Sequence, residues 1–286
     1  MNHTDLPKSL ATVFAISISS FLAGPTPLTA AKLSTPHPCI VGHTHGTIQS
    51  AVDDARCVAI NVPEGTFYEN VIIKREVTVR GTGPDSTIVD GNGSGPVFNL
   101  VGTATNRFAV TLKGMTITHG TGPGVSSVHR NGGGITSAYT DLTVKDAVVS
   151  GNSAFGNGGG ISFVYGSLTV KDSVITNNTA EAYPDRPGVV AGGGGLRGGG
   201  VPNVLVVVDS VIAGNVSWGQ GGGIITVSSP GSGALVVKDC LIIDNEAKDI
   251  KGIGVEGGGI YVDGTPLTVK DSDITDNIPD DFYPAL

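Results

Sequence analysis

The chain is poor in charge, aromatic rings and sulfur. Only 15% of its 286 residues are Asp, Glu, Lys or Arg, and aromatics make up 5%. Hydrophobic residues still reach 39%, so this is not the composition of a charge-rich disordered protein. No segment holds eighteen consecutive apolar residues, and no membrane span is expected. Seventeen basic against twenty-five acidic residues give a net charge of -8, which argues against a nucleic-acid partner. Glycine is the excess: 44 residues, about twice its usual share of roughly 7%. It lacks the Gly-X-Y period that would mark collagen.

Leu10 to Leu22 is an apolar run diluted by serine, followed by Gly24-Pro25 and small residues up to Ala30 and Ala31. Residues 1–31 read as a secretory signal peptide, and the alternative is a disordered or packed tail. The expected location is therefore secreted or cell surface. In that setting Cys39 and Cys57, which flank a short segment, are expected to form a disulfide. Cys240 is left as a buried small residue. His37, His43 and His45 fall in or beside the lead-in 32–46, and no metal site is assigned to them.

From Leu142 onward one phrase recurs. It is Leu-Thr-Val-Lys-Asp or a close variant, ending at Asp146, Asp172, Asp209, Asp239 and Asp271. Six residues after each aspartate stands an asparagine: Asn152, Asn178, Asn215, Asn245 and Asn277. Triple-glycine phrases close most units, ending at Ile135, Ile161, Val201, Ile224 and Ile260. Fixed phrases joined by loops of variable length mean a solenoid. The phrases alternate with period two and are rich in Val, Ile and Thr, so they are strands. After each aspartate the inward column changes parity to Val149, Ile175, Ile212, Ile242 and Ile274, which places a bend there. Ala147, Ser173, Ser210, Cys240 and Ser272 then line the interior as small side chains. The expected fold is all-β, a parallel β-helix of three-strand coils spanning 47–277, with about seven or eight coils. A helix over Thr47–Ala55, with Ile48, Ala51, Val52 and Ala55 on one face, is expected to cap it. The tail 278–286 is too short for a full cap, leaving that end open to Phe282 and Tyr283, to a partner, or to self-association.

The opening phrases Val62-Pro-Glu-Gly-Thr-Phe-Tyr-Glu-Asn-Val71 and Val79-Arg-Gly-Thr-Gly83 resemble the pectin-lyase-like superfamily of right-handed β-helices. They are similar to the first coils of pectin methylesterases. The glycine and asparagine units resemble right-handed β-helix proteins of bacterial surfaces. The resemblance implies the fold and says little about chemistry, because such folds host lyases, hydrolases, esterases and non-catalytic adhesins. The catalytic phrases of methylesterases, polygalacturonases and pectate lyases are absent, so no catalytic residue is carried over.

Loop lengths give the site expectation. The segment between the asparagine position and the glycine phrase is short after Asn152 and Asn215, and long after Gly120, Asn178 and Asn245. Long loops from one corner of successive coils make ridges, with a groove between them. Its expected lining for a polysaccharide is Trp218, Phe155, Tyr183, Arg186, Arg197, Asp185, Asp249, Lys248, His129 and Arg130, with His119 nearby. Aromatic faces stack on sugar rings, and charged groups hold hydroxyls or uronates. The primary expectation is binding or adhesion; a polysaccharide lyase or related enzyme acting on a uronate polymer is the alternative, and a structural repeat docking a partner chain is the second. No cofactor is expected, with calcium on the aspartate column as the option left open.

Overall fold

The computed structural model describes residues 38–122, 132–182, 191–249 and 254–284. The segment read as a signal peptide lies outside the described residues. The described chain winds into a parallel β-helix, each coil hydrogen-bonding in parallel to the next. Among the described residues no helix is long and apolar enough to cross a membrane.

The hydrophobic columns fix the register. Leu142, Leu168, Leu205, Leu235 and Leu267 pair in line, as do Val144, Val170, Val207, Val237 and Val269. Leu142 to Leu235 and Val144 to Val237 are at most 1% exposed. A slip of one residue would turn every one of them to solvent. The same register continues upstream through Val110 and Leu112 to Val77 and Val79.

Three kinds of bend shape each coil. Asp146, Asp172, Asp209, Asp239 and Asp271 all take left-handed backbone, φ 47 to 52°, and so break the strand where the parity changes. Behind that bend the small-residue column is also a hydrogen-bond ladder. The Ala147 amide donates to Ser173 Oγ (3.2 Å), the Ser173 amide to Ser210 Oγ (3.2 Å), and the Cys240 amide to Ser272 Oγ (3.1 Å). Cys240 takes a serine's place, its thiol donating to the Lys238 carbonyl at 3.0 Å.

The asparagines form the second bend. Asn152, Asn178, Asn215 and Asn245 are buried, and each donates from its own amide and its Nδ2 to Oδ1 of the next, at 2.9–3.1 Å. Each Nδ2 also donates to a main-chain carbonyl of the preceding coil, as Asn215 does to Ile175 at 2.9 Å. The ladder ends on Asp281, whose Oδ1 accepts from Asn277 Nδ2 at 2.9 Å.

At the glycine corner the backbones approach too closely for a side chain. A Cβ on Gly195 would sit 2.7 Å from the Gly223 carbonyl oxygen.

The strand that follows the glycine corner is long in two coils. It runs unbroken over Ile161–Lys171 and Leu196–Val208, with a register shift between Val164 and Gly166. Tyr139 and Tyr165 turn there with positive φ and stack their rings 4.8 Å apart.

Both ends are covered in part. The capping helix is Ile48–Asp53, started by a capping box of Thr47 and Ser50, and it buries Ile48, Ala51 and Val52. Glu69 accepts from the amides of Ile48 and Gln49 at 2.9 and 3.0 Å. The helix stops two residues short of Ala55, which is exposed. Cys39 and Cys57 form the expected disulfide. At the other end Phe282–Tyr283 pairs with Ile260–Tyr261, and Tyr283 stacks on Tyr261 at 5.0 Å.

Candidate functional site

Just past the asparagine bend, the strands Ser153–Phe155, Thr179–Glu181, Val216–Ser217 and Glu246–Ala247 form a four-stranded parallel sheet. Strand alternation sends Ala154, Ala180, Ser217 and Ala247 inward, where all are buried. The residues on either side of each therefore face outward. Phe155 is in register with Glu181. The Trp218 amide donates to the Ala180 carbonyl at 2.8 Å, and the Lys248 amide to that of Ser217 at 2.7 Å, which carries the register onward.

The result is an outward column of Phe155, Glu181, Trp218 and Lys248, about 4.8 Å from coil to coil. Trp218 is 40% exposed. Lys248 Nζ lies 5.5 Å from the centre of its ring, within cation–π range, and 3.1 Å from Glu246 Oε2. Glu181 Oε1 accepts from Ser153 Oγ at 2.7 Å. The column thus alternates ring, carboxylate, ring and ammonium along the helix axis.

A cleft of about 370 Å³ opens at one end of this strip, lined by Asp90, Asn92, His119, Thr121 and Ser153 among glycines. Ser153 belongs to both cleft and strip, and Thr121 bridges to it. His119 donates from Nδ1 to Asp90 Oδ2 at 2.8 Å, and the Asn92 amide donates to Asp90 Oδ1 at 2.7 Å. Asn92 and His119 both have left-handed backbone, φ 49 and 51°. Burial by itself would raise the Asp90 carboxyl, but the His119 hydrogen bond, the Asn92 amide and the imidazole charge outweigh it. Its pKa is lowered.

A larger cavity, about 530 Å³, lies beside the capping helix. Its polar groups already hold that helix: Gln49 Oε1 accepts from the Ile72 amide at 2.7 Å, and Arg75 Nε donates to the Val52 carbonyl at 2.8 Å. The strip is the better candidate, because its aromatic and charged groups do no comparable structural work.

Of the residues expected in the groove, the structure brings Phe155, Trp218 and Lys248 into one column. Asp249 is exposed immediately after Lys248. Arg197 sits elsewhere, on the long strand beyond the glycine corner, in register with Ser162 and Ile225. Tyr183, Asp185, Arg186, His129 and Arg130 lie outside the described residues. Glu181, Ser153 and Asp90 were not singled out from the sequence. For Glu181 the signal was there, since each column member is the third residue after a ladder asparagine.

Lysines stand beside the aspartate column. Lys171 Nζ is 3.2 Å from Asp209, Lys238 Nζ 2.8 Å from Asp239, and Lys145 Nζ 3.8 Å from Asp172. Lys171 reaches across to the one coil whose own lysine position is Val208. These exposed pairs contribute little stability each.

No curated protein matches the chain. A solved structure, ORF18 of Geobacillus virus E2, is similar to it in fold, with a TM-score of 0.51 and 15% sequence identity. The match covers 75% of this chain and 40% of the viral chain, so less than half of that relative's length is matched. The model of the right-handed β-helix region matches residues 100–279. That match takes in more than half of the sequence, including every Lys-Asp and asparagine repeat, and the chain belongs to the right-handed β-helix family.

Proposed function

We propose that this protein is secreted or displayed at a cell surface and binds an extracellular polysaccharide along the Phe155–Lys248 strip. One observation carries the reading: Phe155, Glu181, Trp218 and Lys248 project outward in a single column on consecutive coils. A linear polymer lying along the helix axis would meet ring faces and charges at the coil repeat. Trp218 stacks on a sugar ring, Lys248 holds a uronate or hydroxyl, and Glu181, oriented by Ser153, accepts from hydroxyls. Exchanging Trp218 for Ala removes the largest exposed surface of the column. Affinity for the bound polymer should fall about tenfold or more, the effect of losing an aromatic anchor. The test is a pull-down and titration against acidic and neutral polysaccharides, comparing wild type, Trp218→Ala and Lys248→Ala. Equal affinity in all three would remove the strip as the binding surface.

A second reading makes the protein a polysaccharide lyase or related enzyme acting on a uronate polymer. It is favoured by the Asp90–His119 pair, in which a carboxylate fixes one imidazole nitrogen and leaves the other as a base in the cleft. The same incubations distinguish the two readings. Ultraviolet absorbance from unsaturated uronate, lost in His119→Ala, marks the enzyme; retention without product marks the binding protein.

A further inference from the structure

The N-terminal cap holds a cluster of sulfur, imidazole and carboxylate that the strip does not involve. Cys39 and Cys57 are disulfide-bonded and buried. His45 packs against them with its side chain 10% exposed. Its Nε2 is 3.7 Å from Cys57 Sγ and 3.3 Å from Asp54 Oδ2. One ligand atom from each of Cys39, His45 and Cys57 falls within 4.8 Å of the other two. Nδ1 of His45 is 3.0 Å from Thr44 Oγ1, which in turn lies within hydrogen-bond distance of the Pro38 carbonyl and the Ile40 amide.

We propose that reduction of the Cys39–Cys57 disulfide converts this cluster into a zinc site, with Cys39, Cys57, His45 Nε2 and Asp54 Oδ2 as ligands. Zn–S bonds of about 2.3 Å and Zn–N bonds of about 2.0–2.1 Å in a tetrahedron place neighbouring ligand atoms about 3.4–3.8 Å apart. The imidazole already stands at close to those separations from Cys57 and Asp54. Opening the S–S bond frees the two sulfurs to part to theirs. Two thiolates with an imidazole favour zinc over hard cations such as calcium or magnesium. Thr44 holds Nδ1, so that Nε2 is presented to the metal, as an outer partner of a ligating histidine does. Arg56 donates from Nε to Asp54 Oδ1 at 2.9 Å and from Nη2 to Oδ2 at 2.6 Å. The second lone pair of Oδ2 is the one offered to the metal, and the guanidinium offsets the single negative charge left by two thiolates and one carboxylate around a dication.

The chemistry balances with a thiol as reductant. Two external thiols supply two electrons and two protons and leave as their own disulfide, while the protein S–S bond breaks to two thiols. Zn²⁺ then displaces those two protons as the Zn–S bonds form. Disulfide and metal are thereby alternative clasps joining the strand Cys39–Ile40 to the turn after the capping helix. The cap stays closed in oxidising and in reducing surroundings.

The experiment uses the full chain in a Cys240→Ser background, so that the third thiol plays no part. The protein is reduced with a phosphine, freed of reductant without air, and titrated with Co²⁺ and then Zn²⁺. The expected result is thiolate-to-cobalt charge transfer with the intense visible bands of a tetrahedral site. These should saturate at one equivalent, be bleached by Zn²⁺, and be absent while the disulfide is intact. His45→Gln, which leaves both cysteines and the disulfide in place, should weaken Co²⁺ binding at least tenfold. Circular dichroism of the reduced, metal-free chain checks that the strands persist. The proposal is overturned by a pale octahedral spectrum, by the same bands in the oxidised protein, or by affinity that His45→Gln leaves unchanged.

Discussion

At the scale of single residues, the fold depends on polar side chains placed inside it. Asn215 is 0% exposed and joins three coils: it accepts from Asn178, and it donates to Asn245 and to the Ile175 carbonyl. Replacing it with Ala takes the acceptor from the buried Asn178 amide and a donor from the Ile175 carbonyl, while Asn245 Oδ1 keeps the main-chain amide of residue 215. Each buried group left without its partner costs about 1–3 kcal/mol. Asn215→Ala should therefore lose about 3 kcal/mol or more, read as a lower denaturant midpoint. The asparagine column was legible because its offset from the aspartate never varies. Its terminus on Asp281 was not, since a carboxylate closing a ladder of amides follows no repeat. Asp90 allows a test against pH. Its carboxyl is lowered in the folded chain, so its contribution is present above the ordinary value of about 4 and is lost as pH falls through the lower folded value. Asp90→Asn should be less stable than wild type at pH 7 and converge with it in acid. A stability gap that stays constant from pH 7 to pH 2 would mean that the hydrogen bonds to the ionised Asp90 carboxylate play no part.

At the scale of elements, strands and bends were readable from period and parity, because each hydrophobic column sits inside with one register. One coil carries a variant of the phrase. Phe108–Lys113 and Thr116–Thr118 pair with the coils on both sides, yet Gly114 replaces the usual aspartate and Gly120 the asparagine. With both markers gone, the repeated phrase is plain from Leu142 onward and only the asparagine position, at Gly120, is legible before it. The Phe155–Lys248 column was only half legible, since charged and aromatic types alternate along it and only their offset from asparagine is constant. The glycine corner gives a prediction at this scale. Gly195→Ala drives its Cβ to 2.7 Å from the Gly223 carbonyl and 3.1 Å from Asn215 Nδ2, where neither backbone nor ladder can yield freely. The expected loss is about 1–3 kcal/mol, as for overpacked cores. Gly46→Ala, which meets nothing within 4 Å, should change stability by less than about 0.5 kcal/mol. Thermal midpoints of the two variants make the comparison.

At the scale of the whole molecule, a solenoid is a row of coils whose stability is set by nearest neighbours. An interior coil is buried from both sides: Leu205, Val207 and Ile212 are each 0% exposed. Among the described residues, the strands Leu267–Lys270 and Asp273–Thr275 pair on one side only, with Ala234–Lys238 and Leu241–Ile243. Their Leu267, Val269 and Ile274 occupy the same columns yet are only partly buried. Asp273 stands opposite Leu241, and a charge on an unpaired strand opposes edge-to-edge association. Protection against hydrogen exchange should follow this arrangement. Amides of Val204–Val208 and Val211–Ala213 should exchange only through openings close to global unfolding, while those of Leu267–Lys270 and Asp273–Thr275 exchange through local fraying. The contrast should be orders of magnitude in rate at neutral pH, read by peptide-resolved mass spectrometry. The helix-capped end supplies the control, because Val71–Ile73 pairs on one side with Phe98–Leu100 while its Ile72 amide is held by Gln49 of the capping helix, and Val71 and Ile73 are 0% exposed. Equal protection at Val71–Ile73 and Leu267–Lys270 would mean that Phe282 and Tyr283 close their end as fully as the helix closes the other.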